Sequence, residues 1–218
     1  MKKFFLILFF IASVLELVFL TIWPQAHVAT KPLIVLSLMG YYWFGTERQS
    51  GMMLAALFFG WLGDVLLLWN DFFIFGLVAF LIGHLLYIIV YRQYRFAEPT
   101  KSFLGTQKAR YAFPILLLGT GLVTILFPKL GDLKVPVLVY ATVLTSMSLF
   151  ALFRYGQTSD KSFFLVMGGA LLFMVSDSLL AVNKFLSPFE FSGIAIMTTY
   201  CAAQYLIVEG LLQHPQQR

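Results

Sequence analysis

The chain has 218 residues, of which 60% are hydrophobic, 17% aromatic and only 11% charged, with a net charge of +5. A soluble domain carries about a quarter charged residues, so the composition excludes one and points to an all-α, polytopic membrane protein. The positive charge would indicate nucleic acid in a soluble protein. Here it lies beside apolar runs, where membrane lipid is the expected partner and no nucleic acid is expected.

A membrane-crossing helix needs about 20 mostly apolar residues, with a range of about 17 to 25. Eight runs in the sequence fit: 4–22, 32–44, 52–69, 72–91, 111–127, 136–153, 162–182 and 191–212, the second being short. The first follows Met1-Lys2-Lys3 in the manner of a signal peptide. No small-x-small cleavage site follows it and the run continues to Ile22, so a retained helix is expected. The breaks carry turn chemistry, such as Trp23-Pro24, Asn70-Asp71, Phe127-Pro128 and Ser187-Pro188. The runs are continuous rather than alternating, which excludes barrel strands and implies a bundle of about eight transmembrane helices.

Every Lys and Arg falls outside these runs. The termini and even-numbered loops hold eleven of the fifteen, against four (Lys31, Lys129, Lys134 and Lys184) in the odd-numbered loops. The positive-inside rule then expects both termini in the cytoplasm. The connection 92–110, the only long loop, carries five of the positive charges with a single acid, Glu98, as an anchor on anionic headgroups. No linker divides the chain, so 1–218 reads as one helical domain. The lone Cys201 sits in an apolar run and is expected to be a packing residue.

Five ionisable groups remain inside the runs: Glu16, Asp64, His84, Asp177 and Glu209. A charge near the bilayer centre costs roughly 2.5 to 3.5 kcal/mol on insertion scales, so each is a functional candidate. Asp64 and Asp177 each lie roughly 8 Å from the outward end of their helices, Glu16 is at a similar level, and these three acids can share one layer. Glu209, close to the cytoplasmic end, is expected to be structural. His84 shares a helical face with Phe80 and Tyr87, and packing and pocket roles are both open to it. Aligning Asp64 with Asp177 also brings Tyr87 onto Tyr200, a hint of a parallel four-plus-four repeat.

Small residues beside the two aspartates (Gly60, Gly63, Gly168, Gly169, Ala170, Ser176) leave room for a helix or a ligand, and Phe58, Phe59, Trp61 and Phe173 could line an apolar cavity. Two neighbouring carboxylates resist ionising together. One protonated and one ionised acid is the arrangement general acid/base chemistry needs. The bland alternative is an interhelical pair that only holds the bundle. No Gly-x-Ser-x-Gly elbow occurs, against a serine hydrolase. His84 is the only histidine within a run, against a zinc hydrolase with its three protein ligands; no metal or other cofactor is expected.

Four stretches carry a resemblance. Thr30-Lys31-Pro32-Leu33, Gly63-Asp64-x-x-Leu67, Phe75-Gly76 to Gly83-His84-x-x-Tyr87, and Gly169-Ala170-x-x-Phe173-x-x-Ser176-Asp177-x-x-Leu180-Ala181 resemble the YhhN-like lysoplasmalogenase family of eight-span membrane proteins. The resemblance implies hydrolysis of the vinyl-ether bond of a lysophospholipid, the lysoplasmalogen, to a fatty aldehyde and glycerophosphoethanolamine or glycerophosphocholine. In that chemistry Asp177 is the expected proton donor and Asp64 the ionised partner. His84, Tyr87, Tyr200 and Gln204 would position water or the glycerol hydroxyl, Lys31 would meet the phosphate, and Ser176 and Glu16 would support the site. The rival reading is a transporter or proton-coupled carrier that uses the same buried acids. A structural or assembly protein, in which those acids tolerate amide replacement, is the third.

Overall fold

The computed structural model describes residues 1–96 and 103–215. The described residues form eight α-helices and no strand: α1 Lys2–Ile22, α2 His27–Trp43, α3 Gly51–Leu66, α4 Phe73–Gln93, α5 Gly105–Leu126, α6 Lys134–Leu152, α7 Asp160–Ala181 and α8 Ser192–Leu212. Short 3-10 turns precede α2, α4 and α6, and a π-helical turn, Val182–Leu186, follows α7. Six helices are long and apolar enough to cross a membrane, and α2 and α3 are shorter, at 17 and 16 residues. The protein is an integral multi-pass membrane protein. Of the loop charges counted above, Glu98, Lys101 and Arg218 lie outside the described residues.

Each run becomes a helix, and the differences are at the ends. Ser50 and Ser159 cap α3 and α7 by accepting hydrogen bonds from the Met53 and Ser162 amides. The second run begins at His27 rather than at 32, with Pro32 inside the helix. Proline removes one backbone donor there, and tertiary contact offsets the loss: the early start lays Thr30 against Glu16 of α1, where its hydroxyl donates to the carboxylate. α5 begins six residues before the apolar run, so that Lys108 and Arg110 ride on the helix. Gln, Lys, Ala and Arg in that turn are strong helix formers, and the Gln107 side chain accepts the Leu104 amide.

The helices pair as antiparallel hairpins, most tightly α1 with α2, α3 with α4, and α7 with α8. Glycines set two of these approaches. A Cβ on Gly169 would lie 2.8 Å from the Ala203 carbonyl, so α7 and α8 touch backbone to backbone. One on Gly63 would lie 2.5 Å from the Phe80 ring, which therefore covers α3 beside Asp64. α8 is central, with half of its span buried, whereas α1 and α5 have 22% buried and present Phe4, Ile7, Phe113 and Leu117 outward.

The end of the bundle opposite the two aspartates is held by polar contacts. Arg154, counted above as a loop cation, is fully buried. Its Nη2 donates to Ser162 Oγ at 2.9 Å and to the Tyr94 carbonyl at 3.2 Å, and its guanidinium lies over the Tyr91 ring. His214 Nδ1 meets Thr158 Oγ1 at 2.6 Å. Burial, with the nearby Arg154 charge, pushes the His214 imidazole down to about 4. Glu209 accepts from Tyr41 and Gln213, both at 2.6 Å, so it ties α8 to α2 at this end.

Candidate active site

α7 is apolar from Phe163 to Val175 before Asp177 and from Leu179 to Ala181 after it. The structure gives the Asp177 carboxyl partners from two other helices. Tyr140 of α6 donates to Asp177 Oδ2 at 2.5 Å, and His84 Nε2 of α4 lies 3.0 Å from the Tyr140 oxygen and 3.4 Å from the same carboxylate oxygen. Because the Tyr140 proton is committed to Asp177, the His84 tautomer that can donate to the Tyr140 oxygen carries its hydrogen on Nε2. His84 Nδ1 is buried without a partner.

Tyr140 and Asp177 line a small apolar cleft of about 60 Å³ between α4, α5, α6 and α7, and His84 is not among its lining residues. Leu77, Leu122, Val137 and Leu144 supply much of its wall, and Tyr140, Asp177 and Ser178 are its polar members. Asp177, about 14% exposed, reaches this space. Ser178 spends its hydroxyl on the Met174 carbonyl, which leaves the Asp177 carboxyl and the Tyr140 phenol as the groups able to act on a ligand there.

Asp64 belongs to a second chain of hydrogen bonds. Tyr200 of α8 donates to its Oδ2 at 2.6 Å, Gln204 Nε2 donates to the Tyr200 oxygen at 3.2 Å, and Tyr87 of α4 donates to Gln204 Oε1 at 2.8 Å. Asp64 is 2% exposed and does not line the cleft. An aromatic layer lies between the two systems: Phe80 and Phe173 each contact both the His84 ring and the Tyr200 ring. No hydrogen bond joins the two acids, yet Asp177, Glu16 and Lys31 all lie within electrostatic reach of Asp64. The acids of α3 and α7 are thus met crosswise, each by the second helix of the other hairpin.

The remaining sequence candidates fall around this core. Glu16, 1% exposed, accepts from Thr30 at 2.5 Å and lies 3.5 Å from His27 Nδ1. Lys31 sits half-buried at the start of α2 on the Asp64 side of the site. Ser176 donates to the Ile196 carbonyl at 3.0 Å and thereby helps join α7 to α8. Among the described residues no three of His, Cys, Asp and Glu converge as a metal-ligand set. Tyr140 is the site residue the sequence reading missed. Its signal was the one phenol of its run, since a buried and unbonded hydroxyl is costly.

Comparison with known proteins is consistent across most of the chain. The model of the YhhN family matches residues 26–211. The chain is 32% identical over 195 residues to the human lysoplasmalogenase TMEM86B, covering 88% of this chain and 77% of that protein. It is 31% identical over 204 residues to human lysoplasmalogenase TMEM86A, covering 85% and 77%. Over 169 residues it is 31% identical to the lysoplasmalogenase of Mycobacterium bovis, covering 75% and 61%. No solved structure matches the chain.

Proposed function

The chain belongs to the YhhN family, and from that premise we propose that it is a lysoplasmalogenase, a membrane hydrolase that opens the vinyl-ether bond of a lysoplasmalogen. The products are a fatty aldehyde and glycerophosphoethanolamine or glycerophosphocholine. The observation that carries the reading is a carboxyl, Asp177, fixed by Tyr140 and His84 on the wall of an otherwise apolar cleft. A single-chain lipid needs such a combination: apolar walls for its hydrocarbon and one acid at the bond to be broken.

A vinyl ether hydrolyses when its terminal vinyl carbon takes a proton. The oxocarbenium ion that forms is attacked by water, and the hemiacetal collapses to aldehyde and alcohol, so one water is consumed. In this reading Asp177 carries the proton on Oδ1 while Tyr140 holds Oδ2, and the carboxyl faces the vinyl carbon. Once the proton has moved, the Asp177 carboxylate and the buried charge of Asp64 both oppose the developing cation, in the manner of a glycosidase acid pair. The Asp177 carboxylate takes a proton back from the attacking water, and His84, with Nε2 3.0 Å from the Tyr140 oxygen and 3.4 Å from Asp177 Oδ2, holds that pair in place. Tyr200, Gln204 and Tyr87 fix the Asp64 carboxylate. Lys31 meets the substrate phosphate near the surface, with Glu16 setting the α1–α2 hairpin that presents it.

The loop charges support placing both termini in the cytoplasm and the acid layer toward the outer leaflet, that of the plasma membrane if the source is bacterial. The whole chain then acts as a single domain. Purified protein in nanodiscs, given a lysoplasmalogen, should release aldehyde in step with glycerophosphoethanolamine or glycerophosphocholine. A carrier that uses the same acids would move protons or solute and release none.

A further inference from the structure

The helix that closes the outer wall of the cleft is the least embedded part of the site. α5 packs chiefly on α6, with lesser contacts to the two turns Phe127–Lys129 and Val182–Leu186. On the lipid-facing side of the α5–α6 seam lies a groove of about 350 Å³, bounded by residues from Leu116 to Thr124 on α5 and from Leu138 to Leu149 on α6. Groove and cleft share two residues, Val123 and Ala141, which are therefore the partition between the bilayer side and the Asp177 side. The helices touch closely at Gly119, where an added Cβ would lie 2.3 Å from Thr145 Oγ1, while Gly121 faces open space.

The chemistry of the groove selects its occupant. It carries several hydroxyls, but those of Thr120, Thr124, Thr142 and Ser146 are donated to carbonyls of their own helices. These four offer methyl and methylene surface and no free donor to a headgroup, and the fifth hydroxyl, Thr145, is buried against Gly119. Its length along α6, from Leu138 to Leu149, is about 16 Å at 1.5 Å per residue. That is close to one leaflet, half of the roughly 30 Å hydrocarbon core, and so to one extended lipid chain.

We infer that the α5–α6 groove binds the hydrocarbon chain of a single-chain lipid and admits it laterally from the bilayer, with Val123 and Ala141 as the threshold to Asp177. The inference rests on the hydrolase reading above for the identity of the reacting end, and on the groove alone for the chain.

The test compares a long-chain lysoplasmalogen with a short-chain, water-soluble vinyl ether. Thr142 lines the groove and not the cleft, and Thr142→Trp should lower the long-chain to short-chain ratio of kcat/KM by about tenfold or more. Val139→Trp, on the exposed face of the same helix but outside both spaces, should leave that ratio within about twofold. An unchanged ratio in Thr142→Trp overturns the inference. A single-chain lipid with a diazirine at its tail, photolysed in nanodiscs on Asp177→Asn protein, should label residues 116–124 and 138–149; label confined to other helices overturns it as well. If the unmodified protein releases no aldehyde from either substrate, the hydrolase reading fails by itself, and the pattern of labelling decides the groove.

Discussion

Tyr140→Phe separates the role of one hydroxyl from the packing of its ring. The phenol donates to Asp177 Oδ2 at 2.5 Å and also meets His84 Nε2 at 3.0 Å. Phenylalanine keeps the ring against His84, whose centroid is 5.4 Å away, so the hydrophobic contact survives. A hydrogen bond to a charged group contributes about 1.5 to 3 kcal/mol. Felt in full by a carboxyl that changes charge during the reaction, that range corresponds to roughly 10- to 150-fold in kcat, at 1.36 kcal/mol per factor of ten. The same bond contributes little to the fold, since interhelical hydrogen bonds in membranes average about 0.6 kcal/mol. The expected result is a kcat lower by one to two orders of magnitude with KM within about threefold, because the phenol serves the reacting carboxyl rather than the bound chain. Aldehyde release can be followed through a coupled NADH-dependent reductase, with thermal unfolding in detergent as the control. A Tyr140→Phe protein within twofold of the parent kcat would refute the reasoning, as would a loss explained by unfolding.

Asp64→Asn keeps an acceptor for Tyr200 but removes the buried charge, and should lower kcat by about tenfold or more while the protein stays folded; parental turnover would remove Asp64 from the mechanism. Gly169→Ala puts a methyl 2.8 Å from the Ala203 carbonyl and 2.9 Å from the Ile207 amide nitrogen, an overpacking that costs about 1 to 3 kcal/mol and should lower the unfolding midpoint. His214 gives a pH signature. Its imidazole titrates near 4 in the folded protein against 6.5 in the unfolded chain, so the unfolded state binds the proton first. Stability from this residue is complete above pH 6.5 and is lost as pH falls toward 4. His214→Phe should accordingly show a shallower fall of the unfolding midpoint across that window than the parent protein, and identical slopes would contradict the assignment.

The number of helices, their order and the two aspartates were legible in the sequence because bilayer crossing writes length and polarity directly into the chain. A carboxylate in GGALLFMVSDSLLAV is conspicuous wherever the helix points. Rotation of the helices was not legible. α4 and α7 are apolar nearly all round, so no polar stripe says which face meets which neighbour. That is why Tyr140 escaped notice although His84 and Asp177 did not: one phenol among leucines and valines reads as core until its partner is seen. The same gap hid the separation of the acids, which lie on two hydrogen-bond systems with Phe80 and Phe173 between them. Helix ends misled where tertiary contact overrode local signals, as at Pro32, which sits inside α2, and at Arg154, a loop cation by position that is wholly buried.

The central claim is that Asp177 delivers a proton to the vinyl carbon. It is tested most directly by mass spectrometry of the aldehyde released from a lysoplasmalogen in D2O by the parent protein and by folded Asp177→Asn. The expected result is one deuterium on the carbon next to the carbonyl in the parent product, with release by Asp177→Asn lower by about 10²- to 10⁴-fold, the range that general acid catalysis contributes. Aldehyde without that deuterium, or near-parental release by Asp177→Asn, would contradict it.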